Sequence, residues 1–162
     1  MKTFVSPLEH GARGSTDQRL SIAFVITGLG TGGAETMLFK LVERLDRTRF
    51  SPVVISLTDF GDFGPRLERI GVPVYAIGMR ANVPSPLRFL RLTRTLSMLR
   101  PDLVHTWMYH ADLLGGLASR LTGDRPVVWG IRHSDLSREH NKWSTLVVVR
   151  LCALLSSRLP AA

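Results

Sequence analysis

Cysteine is nearly absent from this 162-residue chain, which contains Cys152 and no other. A lone cysteine excludes both an internal disulfide and a zinc site built from several thiolates. Because Cys152 lies in an apolar run, we expect a buried and unreactive thiol.

The chain also lacks a long uninterrupted apolar run. Residues 1–19 have no apolar core of signal-peptide length, so we expect a flexible tail there and a cytoplasmic protein. The apolar stretch near the carboxyl terminus is too short, and too interrupted by Arg150, to span a bilayer.

Lysine is scarce too, although the chain is basic. Its 21 Lys and Arg residues exceed its 13 acidic ones for a net charge of +8, and the lysines are only Lys2, Lys40 and Lys142. Guanidinium groups are planar and always ionised, which suits phosphate and carboxylate partners. Charge alone leaves nucleic acid, an anionic membrane and a phosphorylated substrate open.

Short apolar runs alternate with segments of helical spacing, which predicts one α/β domain with a doubly wound, mainly parallel sheet and helices on both faces. The predicted strands are residues 22–27, 53–57, 72–77, 103–106 and 126–131, and the predicted helices are residues 34–45, 64–70, 84–100, 110–121 and 143–159. Ligands bind beyond the carboxyl ends of such strands. The candidate site is therefore the loops at 27–33, 106–110 and 132–141.

The loop after the first predicted strand is rich in glycine. Gly28, Gly30 and Gly33 match the spacing of a dinucleotide-binding fingerprint, a weak signal by itself. Glycines let the backbone approach a ligand, and unpaired N–H groups at the start of the following helix favour a phosphate. Glu35 would repel that anion, so we expect its side chain to point away. Asp59, the candidate ribose ligand, comes later than the fingerprint requires.

Aromatic and imidazole side chains follow the fourth predicted strand. Trp107, Tyr109 and His110 come at its carboxyl end, where aromatic faces can stack on a sugar or a lipid head group. For Trp107, burial in the core is an equally good interpretation. We expect His105, within the strand, to be a hydrogen-bonded core residue.

A third cluster, Arg132, His133 and Ser134, follows the fifth predicted strand. It brings hydrogen-bond donors and one titratable group to the ligand edge of the sheet. The alternative for Arg132 is a surface ion pair with Asp135 or Glu139.

The predicted helix at 84–100 is basic and amphipathic. Arg88, Arg91 and Arg94 recur at every third position and share a face, and leucines fill much of the rest. Such a helix can lie on an anionic membrane, or it can present an ordinary solvated face.

Three motifs occur in a telling order: Gly32-Gly33-Ala34-Glu35, the PDLVH of residues 101–105 with the Trp and His that follow, and the PVVWGIRHS of residues 126–134. With this spacing the chain resembles the amino-terminal domain of family 4 retaining glycosyltransferases. The resemblance covers about residues 20–160. It implies one half of a GT-B architecture, in which two Rossmann-like domains face a cleft.

The resemblance also implies roles for single residues. Gly32 and Gly33 would face the diphosphate of a nucleotide-sugar donor, and His133 would be the catalytic residue beside the transferred sugar. The implied acceptor-binding residues are Trp107, Tyr109, His110 and Arg132.

The implied reaction is transfer of a sugar, with retention of its anomeric configuration, to a glycan or lipid-linked acceptor, without a metal or another cofactor. Many such enzymes act at the inner face of the cell membrane, which would give Arg88, Arg91 and Arg94 a peripheral membrane contact. The family's carboxyl-terminal domain, which holds the donor nucleotide, is missing here. We therefore expect residues 20–162 to be a truncated domain that is inactive alone.

Two other classes of function remain as alternatives. An NAD(P)-binding oxidoreductase would share the fold and the glycine loop, but the common tyrosine and lysine pair is missing: Met79 follows Tyr75 and Leu113 follows Tyr109 at that spacing. A non-catalytic basic module would bind through its charge. Its arginines are dispersed and its aromatics lie at strand ends, so we expect no nucleic-acid partner.

Overall fold

The computed structural model describes residues 19–80, 85–123 and 125–130, together with Arg150 and Cys152. In that part of the chain, strands and helices alternate strictly. They are β1 (Leu20–Ile26), α1 (Gly33–Glu43), β2 (Phe50–Ser56), α2 (Gly64–Arg69), β3 (Val74–Ala76), α3 (Pro86–Leu99), β4 (Leu103–Trp107), α4 (Tyr109–Leu121) and β5 (Val127–Gly130).

All five strands pair in parallel, in the order β3-β2-β1-β4-β5. The central strand, β1, pairs with β2 on one side and with β4 on the other, so that Ile22 lies opposite both Pro52 and Leu103. From β1 the chain first builds the sheet outward through β2 and β3, and then returns to start the other half at β4. The order therefore reverses between β1 and β4, and this is the topological switch point.

The side chains of β1 alternate between two buried layers. Phe24 and Ile26 pack in a core cluster with residues of α1 and α2, whereas Ala23 and Val25 pack with residues of α3 and α4. Both faces of the sheet are covered, which is why β1 reads as a continuous apolar run instead of an alternating one. The predicted doubly wound sheet with helices on both faces is confirmed.

A glycine in the middle of α4 has a packing role. A Cβ on Gly115 would lie 2.8 Å from Thr106 Cγ2 and 3.5 Å from Val25 Cγ1. A side chain there would push α4 away from the sheet. Gly115, which weakens this helix in isolation, therefore lets α4 approach β4 in the folded domain.

Several expectations lie outside the described residues. They are the tail at residues 1–18, the end of the predicted fifth strand at Ile131, and nearly all of the predicted last helix at 143–159. Cys152, which is described, is 5% exposed, so the expected buried thiol is confirmed. No helix in the described part of the chain has the length and apolarity needed to cross a membrane.

Candidate functional site

Two loops meet at the switch point of the sheet. One follows β1 and leads through the glycines into α1, and the other is the single residue Met108 between β4 and α4. Adjacent parallel strands bring the ends of β1 and β4 side by side, about 5 Å apart. The starts of α1 and α4 therefore border the crevice in which open α/β sheets bind ligands.

Contacts between Leu29 and the segment after β2 hold the glycine loop in place. Leu29 is fully buried, and its carbonyl oxygen accepts a hydrogen bond of 2.9 Å from the N–H of Phe63. Gly61 approaches the Leu29 backbone so closely, at a φ of 45°, that a Cβ would overlap it. In contrast, a Cβ on Gly30 or Gly33 would meet nothing within 4 Å. The loop is anchored by its packed residues and open at the glycines that a ligand would approach.

The start of α1 carries an acidic side chain. A Cβ on Gly32 would collide with a carboxylate oxygen of Glu35, so this carboxylate lies against the residue that precedes the helix. The expectation that Glu35 points away is wrong. The physical reason is that the first-turn N–H groups and the positive end of the helix dipole attract the carboxylate when no other anion is bound.

Two more acidic residues hold the loops around this edge. The Thr31 hydroxyl donates to Asp62 Oδ2 at 2.6 Å, and Asp59 Oδ1 accepts from the N–H of Gly61 at 3.1 Å. The Asp59 carboxylate therefore stabilises the turn that follows β2. This contact lies within the turn and does not indicate a ribose site. The hydrogen bond between Thr31 and Asp62 joins the loop after β2 to the glycine loop.

The first turn of α4 presents Tyr109 and His110, both half-buried. Burial lowers the pKa of His110, so its imidazole is neutral near pH 7 and can either accept or donate one hydrogen bond. Burial also raises the pKa of the Tyr109 phenol, with a further contribution from the charge of Asp112. Both side chains are neutral polar groups, which suits the recognition of hydroxyl groups.

Met108, the residue before Tyr109, has a φ of 75° and a ψ of 148°. That region is occupied almost only by glycine and costs an L-residue about 1–3 kcal/mol. The chain therefore turns from β4 into α4 through a strained residue, directly beside the candidate site.

Trp107 occupies the core and not the crevice. Its side chain is 0% exposed and packs among residues of the layer that α1 and α2 cover, with the His105 ring 5.4 Å away. Of the two locations that the sequence left open, the core is the observed one, and a fully buried ring cannot stack on an acceptor. His105 is half-buried and packs its ring between Trp107 and Phe24, the latter at 5.5 Å.

Sequence reasoning missed a buried polar pair behind the site. Thr106 and Asp112 are both 0% exposed, and the Thr106 hydroxyl donates to Asp112 Oδ1 at 2.5 Å. Among the described residues, Asp112 Oδ2 has no hydrogen-bond partner, and burial raises the pKa of Asp112 to about 6. The helical spacing in the sequence could have indicated this buried pair, since Asp112 lies on the same buried face of its helix as Gly115 and Ser119.

The basic face of α3 is divided. Arg88 and Arg91 both turn toward the end of β3, where each Nη1 donates to the Ile77 carbonyl oxygen, at 3.1 Å and 3.3 Å. Arg94 remains exposed. Arg91 is exposed as well, although its guanidinium group bonds to Ile77, and the membrane contact expected of the three arginines stays a prediction.

Arg132 and His133, with Ser134, lie outside the described residues. The strand that leads to them is described, and its last residue approaches β4 closely. A Cβ on Gly130 would lie 2.9 Å from the Thr106 carbonyl oxygen and 3.4 Å from His105 Nε2. Because β5 pairs with β4 in parallel, its carboxyl end points to the same edge as Tyr109 and His110.

The profile of Glycosyltransferase Family 4 matches residues 31–158, which is most of the chain. The chain belongs to glycosyltransferase family 4. The match includes Gly33, the starts of α1 and α4, and β5, so the family assignment covers most of the elements that build the site. The resemblance read from the sequence motifs is confirmed.

Solved glycosyltransferases share the fold. Anabaena Alr3699/HepE, solved in complex with UDP and glucose, is similar with a TM-score of 0.63 and 28% sequence identity over 83% of this chain. The lipopolysaccharide outer core galactosyltransferase WaaB, in its apo form, has a TM-score of 0.55 and 18% identity over 80% of this chain. MurG of Acinetobacter baumannii has a TM-score of 0.52 and 22% identity over 68% of this chain. At these lower identities, WaaB and MurG show the fold alone.

The chain spans about a third of these proteins: 36% of HepE, 37% of WaaB and 34% of MurG. It therefore corresponds to one Rossmann-like domain of the GT-B architecture. A comparison with curated protein sequences found no significant match.

Proposed function

We propose that this domain is the acceptor side of a retaining glycosyltransferase, which moves a sugar from a nucleotide-diphosphate sugar to a glycan or lipid-linked acceptor. One observation carries the proposal. In a chain of glycosyltransferase family 4, the open glycine loop and the neutral pair Tyr109 and His110 meet at the switch point of the sheet.

The glycine loop is the proposed contact for the donor. Gly33 begins α1, and a Cβ there would meet nothing within 4 Å, so Gly33 itself leaves room for a phosphate to approach the N–H groups of the first turn. The similarity to HepE, which was solved with UDP and glucose, supports a uridine diphosphate sugar as the first donor to test. Binding requires the Glu35 carboxylate to leave Gly32, because two anions would otherwise share one helix terminus.

The start of α4 is the proposed contact for the acceptor. Tyr109 offers an aromatic face and a hydroxyl, and neutral His110 offers one donor and one acceptor, which match the alternating faces and hydroxyl groups of a sugar. In this proposal His133 is the catalytic residue beside the transferred sugar, and Arg132 assists acceptor binding. Trp107 supports the loop from the core instead of touching the acceptor.

Helix α3 is the proposed membrane contact. Leu87 and Met98 are 72% and 66% exposed, Arg94 lies between them in sequence, and the helix contains no acidic residue. Exposed apolar side chains and positive charge together favour an anionic membrane surface. Peripheral binding at the inner face of the cell membrane would bring the domain to lipid-linked acceptors.

We further propose that the isolated chain does not turn over a donor, because one half of a cleft neither excludes water nor surrounds the developing charge. The test compares the 162-residue chain with a fusion to the carboxyl-terminal domain of a family 4 enzyme, using a panel of nucleotide sugars and radiolabelled transfer. We expect transfer by the fusion only. His133→Ala should abolish it, whereas His10→Ala, in the amino-terminal tail, should not.

Turnover by the isolated chain would contradict the proposal. So would a fluorescence or absorbance change on addition of NADH or NADPH, which would favour the oxidoreductase alternative. Tight and salt-sensitive binding to oligonucleotides would favour the basic binding module.

A further inference from the structure

Two guanidinium groups converge at the carboxyl end of β3. Arg88 Nη1 and Arg91 Nη1 donate to the same acceptor, the Ile77 carbonyl oxygen, at 3.1 Å and 3.3 Å. Two like charges held at one oxygen repel each other, and a single carbonyl dipole offsets little of that repulsion. Within the described residues, no acidic side chain pairs with either arginine.

The backbone at this point is shaped for the arginines. Gly78 has a φ of 80°, which favours glycine, and a Cβ there would lie 3.0 Å from Arg88 Nη1, so the guanidinium group packs close to this turn. The turn is held to the neighbouring strand, because the N–H groups of Gly78 and Met79 donate to Thr58 and Leu57 at 2.7 Å each.

This turn is continuous with the glycine loop. Thr58, which receives the bond from Gly78, also lies against Gly28, where a Cβ would be 2.9 Å from Thr58 Oγ1. The order of the strands puts β3 two positions from β1, a separation of about 10 Å at the usual spacing. The arginine pair therefore borders the same edge of the sheet as the proposed donor loop, at about 10 Å.

The pair has unused capacity for an anion. Each guanidinium group carries five N–H donors, and Arg88 and Arg91 each use one of them on Ile77. Two adjacent forks of this kind match the oxygens of a phosphate, and they bind it more strongly than two lysines would. A phosphate would also remove the repulsion between the two cations.

We propose that Arg88 and Arg91, with the Ile77–Gly78 turn, bind a phosphate group of the acceptor. This inference rests on the proposed function. The strand order puts the pair three positions from β4, about 15 Å from the proposed acceptor contact at the start of α4, so the phosphate would lie at the end of the acceptor remote from the hydroxyl that receives the sugar. The shared chemistry is a phosphate ester, which either a soluble phosphorylated glycan or a lipid head group can supply.

The test measures binding of inorganic phosphate to the 162-residue chain by isothermal titration calorimetry in a phosphate-free buffer at low salt. We expect Arg88→Gln and Arg91→Gln each to weaken binding at least about tenfold, since each removes charge-assisted hydrogen bonds. Arg94→Gln is the matched control for this titration, because it removes the same charge from the same helix but from a residue that does not share the Ile77 carbonyl oxygen, and it should leave the affinity for inorganic phosphate within about twofold. Arg88→Lys keeps the charge but not the fork and should retain partial binding.

A second arm separates the sources of the phosphate. Glycerol 3-phosphate competes with inorganic phosphate if the site is accessible to soluble esters. Sedimentation with phosphatidate vesicles, against neutral phosphatidylcholine vesicles, reports binding of a lipid phosphate. Binding in either format that is lost in Arg88→Gln and Arg91→Gln supports the proposal, and Arg94→Gln should keep the binding of inorganic phosphate.

The proposal fails if the wild-type chain binds no phosphate in either format. It also fails if Arg94→Gln weakens the binding of inorganic phosphate as much as the other variants do, because that result would indicate a diffuse charge effect. It also fails if the two glutamine variants lose UDP binding while Gly33→Ala retains it, because the pair would then serve the donor. If phosphate binding follows the arginine pair but the fusion to a carboxyl-terminal domain transfers no sugar, the glycosyltransferase function is refuted and the phosphate site stands.

Discussion

The buried carboxyl group of Asp112 should give this domain an unusual dependence of stability on pH. Burial raises the pKa of Asp112 in the folded state to about 6 from its ordinary value of 3.8, so folding disfavours the ionised form. The difference of about 2 pKa units corresponds to a cost of about 3 kcal/mol when the group is ionised in both states. That cost is fully present above pH 6, decreases as the pH falls through 6, and is absent below 3.8.

Asp112→Asn removes this titration and nearly preserves the shape of the side chain. The amide oxygen can still accept from Thr106, whereas the amide NH2 replaces an oxygen that has no partner among the described residues, which offsets part of the gain. The quantity to measure is therefore a difference between two pH values. Between about pH 7.5 and pH 4.5, the wild type should recover about 2 kcal/mol of unfolding free energy relative to Asp112→Asn.

Urea denaturation of both proteins at the two pH values provides the measurement. Asp46→Asn is an informative control, because hydrogen bonds from Thr48 lower the pKa of Asp46. Its carboxylate stabilises the fold at both pH values, because both lie above the pKa of this group in the unfolded chain, and the contribution is lost only as the pH falls below 3.8. The difference between Asp46→Asn and the wild type should therefore be nearly the same at about pH 7.5 and at about pH 4.5. If the stability of Asp112→Asn differs from that of the wild type by the same amount at both pH values, Asp112 carries no burial cost and the reasoning is refuted.

Three further predictions concern single side chains. Gly115→Ala should destabilise the fold by about 1–3 kcal/mol in urea denaturation, because its Cβ would collide with Thr106, while Gly33→Ala, which meets open space, should not. Glu35→Gln should raise the affinity for UDP about fivefold in calorimetry by removing about 1 kcal/mol of repulsion, and weaker binding would contradict this. Cys152, with its pKa raised to about 11, should resist thiol-disulfide exchange near pH 8 until urea unfolds the chain.

Much of the architecture was predictable because both faces of the sheet are buried. Apolar runs such as residues 22–26 have the length and composition of internal parallel strands, and they alternate with helical segments, which leaves few arrangements besides a doubly wound sheet. The ends of the elements were less predictable. The third strand is Val74–Ala76 and not the longer 72–77, because strand ends depend on pairing with a neighbour rather than on composition.

The candidate site was only partly predictable. The pattern of motifs located the glycine loop and the start of α4, because ligand edges follow from the direction of parallel strands. It did not locate the Trp107 ring, since an aromatic residue at the last position of a strand can turn to the core or to the crevice, and packing against neighbouring layers decides between them. Nor did it indicate that the Glu35 carboxylate lies against Gly32, because the position of this carboxylate depends on the rotation of the Glu35 side chain.

The sequence by itself determined the layers, the family and the edge at which ligands bind, because these follow from hydrophobic periodicity and from motifs a few residues long. Only the tertiary structure decided which polar groups meet across distant segments. Arg88 and Arg91 lie far along the chain from the glycine loop, and their turn toward Ile77 depends on the packing of α3 against the sheet. Spacing places residues on a helix face, but burial, charge and contact with other elements determine what that face does.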